Sequence, residues 1–358
     1  MWYEPLLALD VAPDALIRRA VRTRLGRHLA RLEQEAAGDP RAQVRRVADD
    51  LRRQPLTVHA DAANRQHYEV PARFFAEFLG PRMKYSSCIW PEGVTDIAAA
   101  EEAMLALTCE RAGVADGMDV LDLGCGWGSL ALYVAERLPG SRVLAVSNSR
   151  SQGEHIGEEA ARRGLRNVEH RVANVADLEP GRRFDRVVSV EMLEHLRNYE
   201  LAFRRVCDWL TPEGRLFVHV FSHRRFAYTF GGGADDWMGR TFFTGGTMPG
   251  HDLFLEFGED LAIADRWLVD GTHYARTLEA WLERFDRRRE RIWPILADTY
   301  GAGAARRWWV NWRLFLIVSA EAFAFDAGRQ WGVSHYLFAP LPGGRGSARA
   351  VRRTTPHP

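Results

Sequence analysis

The most constraining feature of this sequence is a short apolar run that ends in clustered glycines and reopens as a helix. Asp119-Val-Leu-Asp-Leu123 is followed by Gly124-Cys-Gly126-Trp-Gly128 and then by an apolar helical stretch over Ser129–Arg137. Glycines let backbone approach a ligand closely, and the helix beyond them presents unpaired amides and the positive end of its dipole. The rhythm continues with strands at Arg142–Ser147, Val168–Val172, Arg186–Val190 and Leu216–Phe221, and helices at Gln152–Arg163 and Tyr199–Leu210. Such alternation predicts an α/β fold, a Rossmann-like doubly wound parallel sheet. Its ligand is expected beyond the strand C-termini, at the switch point beside the first strand.

The flanks differ. Residues 1–80 read as an N-terminal helical region, in which Leu16, Ile17, Ala20, Val21 and Leu25 form an apolar stripe opposite Arg18, Arg19, Arg22 and Arg24. Gly38-Asp39-Pro40 separates it from a second helix at about 41–53, and a third is expected at Pro71–Leu79. Residues 81–340 form the main domain. Within it, 222–260 and 276–328 are expected to be an inserted helical lid and substrate wall, with a strand near Leu261–Leu268, helices over Leu278–Phe325 and a last strand at Val333–Phe338. Gly231-Gly232-Gly233 and Gly245-Gly246 bracket an aromatic patch, Trp237 and Phe242-Phe243. Residues 341–358 carry Arg345, Arg349, Arg352 and Arg353 with no acid, and are expected to be a disordered basic tail.

Composition excludes several classes. Of 358 residues, 48 are basic and 47 acidic, so a net charge of +1 offers no footprint for nucleic acid. Cys88, Cys109, Cys125 and Cys207 form no C-x-x-C pair and fit neither a disulfide framework nor a zinc site, which points to a reduced, cytoplasmic protein. The first residues meet acids and a proline too early for a signal peptide, and Trp308–Phe325 is too short and too polar to span a bilayer.

The loop's neighbours choose its ligand. A dinucleotide site wants G-x-G-x-x-G and an acid roughly 20 residues later; here the spacing is G-x-G-x-G and the second strand ends at Ser147-Asn148. The loop has no lysine, so it is no triphosphate cradle. Val120-Leu-Asp122-Leu-Gly124-Cys-Gly126-Trp-Gly128 instead resembles motif I of class I S-adenosylmethionine-dependent methyltransferases. An acid beside the glycines suits that ligand's ammonium and is costly beside pyrophosphate.

The likeness extends further. Tyr68-Glu-Val-Pro-Ala-Arg-Phe-Phe and Met83-Lys-Tyr-Ser-Ser-Cys-Ile-Trp90 resemble the entry segment of two related groups. One is the cyclopropane fatty acid synthases and mycolic acid methyltransferases; the other is the plant coclaurine-type N-methyltransferases. Similarity to the latter runs over about 67–338, including Glu101-Glu-Ala-Met-Leu, Asn198-Tyr-Glu, Asp235-Asp-Trp, Gly246-Thr-Met and Ser334-His-Tyr-Leu-Phe. The resemblance implies that Tyr85 and Ser86 meet the methionine end of the cofactor, that Asp122, Gly124 and Gly126 line the loop, that Ser147, Asn148 and Gln152 meet the ribose, and that Asn174 and Val175 border the adenine. Ser147 as a mere strand end and Asn174 as a turn residue are the plainer readings. Trp312-Arg-Leu-Phe315 with Glu321 resembles the plant enzymes' aromatic substrate wall, to which Trp237 and Phe242 would add; ordinary core packing is the alternative for each.

Two positions separate the groups. The synthases carry a cysteine that helps form a bicarbonate site and a glycine before Phe-Glu-His; this chain has Ser87 and Glu191 there, as the N-methyltransferases do. His219 points the other way, standing where the synthases place a histidine and the plant enzymes a glutamate.

Glu191, Glu194 and His195 in Val190-Glu-Met-Leu-Glu-His195 fall at i, i+3 and i+4, on one side of a helical turn. An alkylammonium with a pKa near ~10.4 reaches a site at neutral pH protonated and without a lone pair. A carboxylate pair attracts it, and a carboxylate or imidazole accepts its proton. The expected roles are Glu191 and Glu194 binding the cation, with Glu194 and His195 removing the proton. In the plainer reading Glu194 caps a helix start and His195 is a core histidine. No third ligand at suitable spacing supports a metal. The expected partner is a small aromatic or cyclic amine, with a homodimer possible on sequence alone. The alternative acceptor is an unsaturated acyl chain, which brings membrane contact and bicarbonate dependence; a non-catalytic cofactor-binding module is a third reading.

Overall fold

The computed structural model describes residues 13–57, 70–231 and 237–341. The proposed tail from 342 onward, the first twelve residues, Tyr68-Glu69 and Asp235-Asp236 lie outside the described residues.

Among the described residues three helices come first: α1 Asp14–Ala36, α2 Pro40–Arg52, whose first turn Asp39 caps through Ala42 N–H, and α3 Ala72–Phe78. Helix α4, Ile97–Ala112, leads into the sheet and is capped by Asp96. Then follow β1 Asp119–Leu123, α5 Ser129–Arg137, β2 Arg142–Ser147, α6 Arg150–Arg162, β3 Val168–Val172, β4 Phe184–Val190, α7 Tyr199–Trp209 and β5 Leu210–His223. After the lid segment come β6 Leu261–Val269, helices α8 Gly271–Arg287, α9 Arg289–Tyr300 and α10 Ala305–Ala324, and β7 Trp331–Pro340.

The seven strands form one sheet in the order β3-β2-β1-β4-β5-β7-β6. The first five are parallel, as the alternation predicts, but β7 runs antiparallel to both β5 and β6. The sheet is therefore mixed rather than parallel throughout. The cause is the connection: β5 reaches β7 through β6 and a helical layer, not through a single crossover helix. The helices of the inserted region are α8, α9 and α10, while the described part of 222–260 is mostly turns and short strands. Within 222–260 the described residues give a short helix at Trp237–Thr241, a two-residue strand pair, Tyr228–Thr229 with Thr247–Met248, and a turn of 3-10 helix at Leu253–Glu256. The glycines on either side favour turns over helix.

Helix α1 docks across the molecule. Arg18 bonds Glu279 on α8 and Glu321 on α10, Arg22 bonds Glu321, and Arg313 on α10 is held by Asp14 and Asp286. Beneath these ion pairs Phe74, Phe75, Phe78, Trp281, Phe285, Trp309 and Trp312 build an aromatic core shared by α3, α8 and α10.

Candidate functional site

In this strand order the switch point falls at β1, which pairs with β2 on one side and β4 on the other. The loops that leave β1 and β4 therefore open side by side, as ligand sites in such sheets require.

The loop after β1 is held by Gly124 and Cys125 N–H, which both donate to Val146 O (2.9 and 3.0 Å). Gly124 has φ +86°, and a Cβ there would lie 2.5 Å from Met192 Cβ, so glycine is what lets the β4 loop close onto the β1 loop. Asp122 is buried and its Oδ2 accepts Ala131 N–H at 3.1 Å, tying β1 to the start of α5; burial pushes its carboxyl up to about 7. That geometry makes Asp122 an internal brace of the loop.

The other residues that the resemblance singled out spread around this loop. Gln152, at the start of α6, is buried with Nε2 unpartnered, and so is Trp127 Nε1 in the loop itself. The Ser147 hydroxyl is shared between Ser149 O (3.3 Å) and His170 Nε2 (3.1 Å), and Asn148 beside it is exposed. Asn174 Oδ1 accepts Ala176 N–H at 3.0 Å, the Asx turn of the plainer reading, with Val175 half-buried next to it. Ser86 Oγ accepts from Lys84 Nζ at 2.6 Å, and Tyr85 packs between Phe75 (5.0 Å) and Trp281 (5.8 Å). Lys84 is buried and also donates to Ser87 O at 2.6 Å, so the chain's sole lysine stiffens the entry segment from below.

The β4 loop carries the ionisable cluster. Glu191 has φ +45°, a left-handed conformation that costs a non-glycine residue on the order of 1 kcal/mol. Its N–H donates to His219 O (2.8 Å), and its carboxylate is gripped by three donors. Oε1 accepts Ser87 N–H at 2.9 Å and His219 Nε2 at 3.2 Å, and Oε2 accepts Tyr274 O–H at 2.6 Å. Burial pushes this carboxyl up, while Lys84, Ser87 N–H and Tyr274 O–H pull it back. Glu194 is buried in the 3-10 turn Leu193–His195 with Oε2 unpartnered; burial, then the charge of Glu191, holds its pKa well above the ordinary value. The His195 ring stacks on Phe243 of the 222–260 segment at 6.1 Å and 10°.

Tyr274 is not legible as a site residue, because it is 83 positions from the carboxylate it holds, and Phe243 is legible only as a member of the aromatic patch. The expected wall splits. Trp312 and Phe242 are fully buried, Phe242 packing on Trp312 (5.2 Å) and Phe315 (4.7 Å), with Trp237 edge-on at 5.7 Å. Phe243, their neighbour, is the ring that carries this layer to His195. Glu321 is committed elsewhere: both oxygens belong to Arg18 and Arg22. Burial raises its carboxyl, but the hydrogen bonds from Arg22 and Arg18 outweigh that and hold it below the ordinary value. This part of stability is therefore present above the ordinary glutamate pKa and lost as pH falls. Glu321→Gln is expected to cost about 1–3 kcal/mol near pH 7, a lower Tm that converges with wild type in acid, and to leave the acceptor KM unchanged.

A family model, mycolic acid cyclopropane synthetase, matches residues 57–329. The chain belongs to this family. Among its relatives, (S)-coclaurine N-methyltransferase of Thalictrum flavum subsp. glaucum is 38% identical over 93% of each chain. A crystal structure of coclaurine N-methyltransferase bound to N-methylheliamine and SAH superposes with a TM-score of 0.90 at 35% identity, covering 94% of this chain and 98% of that one. Cyclopropane-fatty-acyl-phospholipid synthase of Escherichia coli (strain K12) is 33% identical over 66% of this chain and 58% of its own. This family member is a class I S-adenosylmethionine-dependent methyltransferase. The residues present fit that cofactor: a glycine turn open to close approach, with buried unpartnered donors on Gln152 and Trp127 at its edge. Among the described residues no group of three or more His, Cys, Asp or Glu is arranged to hold a metal, and no helix is long and apolar enough to cross a membrane.

Proposed function

We propose that the enzyme methylates the nitrogen of a small aromatic or cyclic amine, in the cytoplasm, with Glu191, Glu194 and His195 as the acceptor-side machinery. The observation that carries this reading is the pair of carboxylates, Glu191 and Glu194, enclosed on the loop after β4, whose Met192 meets Gly124 of the glycine loop at the switch point. The four cysteines, all free, fit a reducing compartment.

S-adenosylmethionine, when bound, supplies an electrophilic methyl group on sulfonium sulfur. Gly124 and Gly126 would pass its backbone, Gln152 its ribose, and Tyr85 and Ser86 its methionine end. Glu191, fixed by Ser87, His219 and Tyr274, draws the ammonium to a set position. Glu194 holds a proton readily when alone, and the incoming cation favours its ionised form. It then takes the ammonium proton at its unpartnered Oε2, with His195 beside it, and exposes the nitrogen lone pair. The aromatic layer of Phe243, Phe315 and Trp237 excludes water and holds the amine in line.

The lipid alternative needs bicarbonate. Ser87 N–H, at the position of the synthases' cysteine, here donates to the chain's own Glu191 carboxylate at 2.9 Å. A single assay separates the readings: labelled methyl donor, an isoquinoline and phenethylamine panel, and unsaturated phospholipid vesicles, each with and without bicarbonate. Label is expected in amines, with rates unchanged by bicarbonate. Label in lipid alone overturns the proposal.

A further inference from the structure

Behind Glu191 the bond from His219 continues into the sheet as a hydrogen-bond chain through His335 to Arg111. His219 on β5 and His335 on β7 are direct partners in the antiparallel ladder, and both are fully buried. His219 Nδ1 lies 3.0 Å from His335 Nε2, and His335 Nδ1 lies 2.8 Å from Arg111 Nη1. Arg111, in the last turn of α4, rests its guanidinium over Trp267 at 4.9 Å, and Trp267 on β6 is the ladder partner of His335.

The donors decide the direction. Arginine has no acceptor. His335 Nδ1 must therefore be bare and its proton must sit on Nε2. That N–H points at His219 Nδ1, which must accept, so the His219 proton also sits on Nε2, pointing at Glu191 Oε1. Both rings are neutral: burial, then Lys84 and Arg111 for His219 and then His219 and Arg111 for His335, hold them well below the ordinary histidine pKa. Phe217 covers His335 edge-on at 5.2 Å, and Glu110 and Asp265 are the acids whose charge reaches Arg111.

We infer that Arg111, His335 and His219 are positioning residues that act as one unit, locking both imidazoles in a single tautomer so that a fixed N–H donor holds the Glu191 carboxylate in its reactive orientation. Arg111 touches neither acceptor nor cofactor; its effect is transmitted through two rings. Without it, His335 is free to place its proton on Nδ1, the order of the chain reverses, and His219 can present a bare Nε2 to Glu191. Two lone pairs then face each other, and the carboxylate swings off its set position. A misplaced base costs turnover while leaving cofactor binding intact.

The inference rests on the role proposed for Glu191, and its test keeps the two apart. The first measurement needs no turnover: nitrogen NMR of the 15N-histidine-labelled full chain, with the two rings assigned by His219→Gln and His335→Gln. Both are expected in the neutral Nε2–H form across pH 6–8. A Nδ1–H form of either ring overturns the inference whatever the acceptor. The second is Arg111→Met, which keeps the stem over Trp267. It is expected to lower kcat at least roughly tenfold, leave the Kd for S-adenosylmethionine unchanged, introduce Nδ1–H signal at His335 and shift the limb of the pH–kcat profile; Arg111→Lys is expected to recover most of the loss. Unchanged kcat and pH profile in Arg111→Met, where Glu191→Gln lowers kcat by about 10²-fold or more, overturn the inference and leave the Glu191 role standing. Unchanged kcat in Glu191→Gln overturns both.

Discussion

Glu191→Gln is expected to lower kcat by about 10²–10³-fold, roughly 3–4 kcal/mol of transition-state stabilisation, while the Kd for S-adenosylmethionine stays within about a factor of two. The substitution keeps shape and volume, so the left-handed backbone at φ +45° and the 2.9 Å bond from Ser87 N–H survive. Two things are lost. The amide carries no charge to draw an ammonium. It also has only one acceptor oxygen for a site that offers three donors: with that oxygen kept on Ser87 N–H and His219 Nε2–H, its NH₂ must face Tyr274 O–H, which loses its acceptor. Steady-state kinetics with an accepted amine, set beside calorimetric titration of the cofactor, measures the split. Equal losses in kcat and cofactor affinity would mean that Glu191 serves the loop rather than the amine.

Gly124→Ala is expected to weaken S-adenosylmethionine at least roughly 100-fold and to lower Tm. At φ +86° an L-residue costs about 1–2 kcal/mol, and the new Cβ would sit 2.5 Å from Met192 Cβ, a contact that has to be relieved by parting the β1 and β4 loops. Gly126→Ala is the control in the same loop: φ +52° is close to the left-handed well and open space surrounds its Cβ position, so its loss is expected to be far smaller. Titration of the cofactor and thermal melts of both variants decide it. Equal effects would refute the claim that the approach of Met192 is what demands glycine at 124.

Local signals in the sequence carried most of the sheet. The strand over Asp119–Leu123, the helix over Ser129–Arg137 and the strand over Arg142–Ser147 lie where periodicity and glycines put them. The antiparallel insertion of β7 was not legible, because the same apolar run at 333–338 suits either direction. The site divides in the same way. Glu191, Glu194 and His195 stand within five residues, but not on one side of a helical turn as their spacing predicts: the 3-10 turn covers only Leu193–His195, and Glu191 precedes it at φ +45°. The groups that set their chemistry come from far along the chain: Ser87, Tyr274, His335 and Arg111 approach through the sheet order and the packing of α8 and α4, which no local pattern encodes. Glu321 has partners that no local pattern shows. A motif placed it on a substrate wall, while Arg18 and Arg22, some 300 residues earlier, had already claimed it.

The position of β7 has a consequence for biosynthesis. Among the described strands, the last to leave the ribosome is the one that lies between β5 and β6. The nascent chain can pair β1 through β5 as it emerges, but β6 waits, its backbone amides and carbonyls served only by water, until Trp331–Pro340 arrives and zips it to the rest. His335 arrives with that same strand. Closure of the sheet and completion of the hydrogen-bond chain that reaches Glu191 are thus one event.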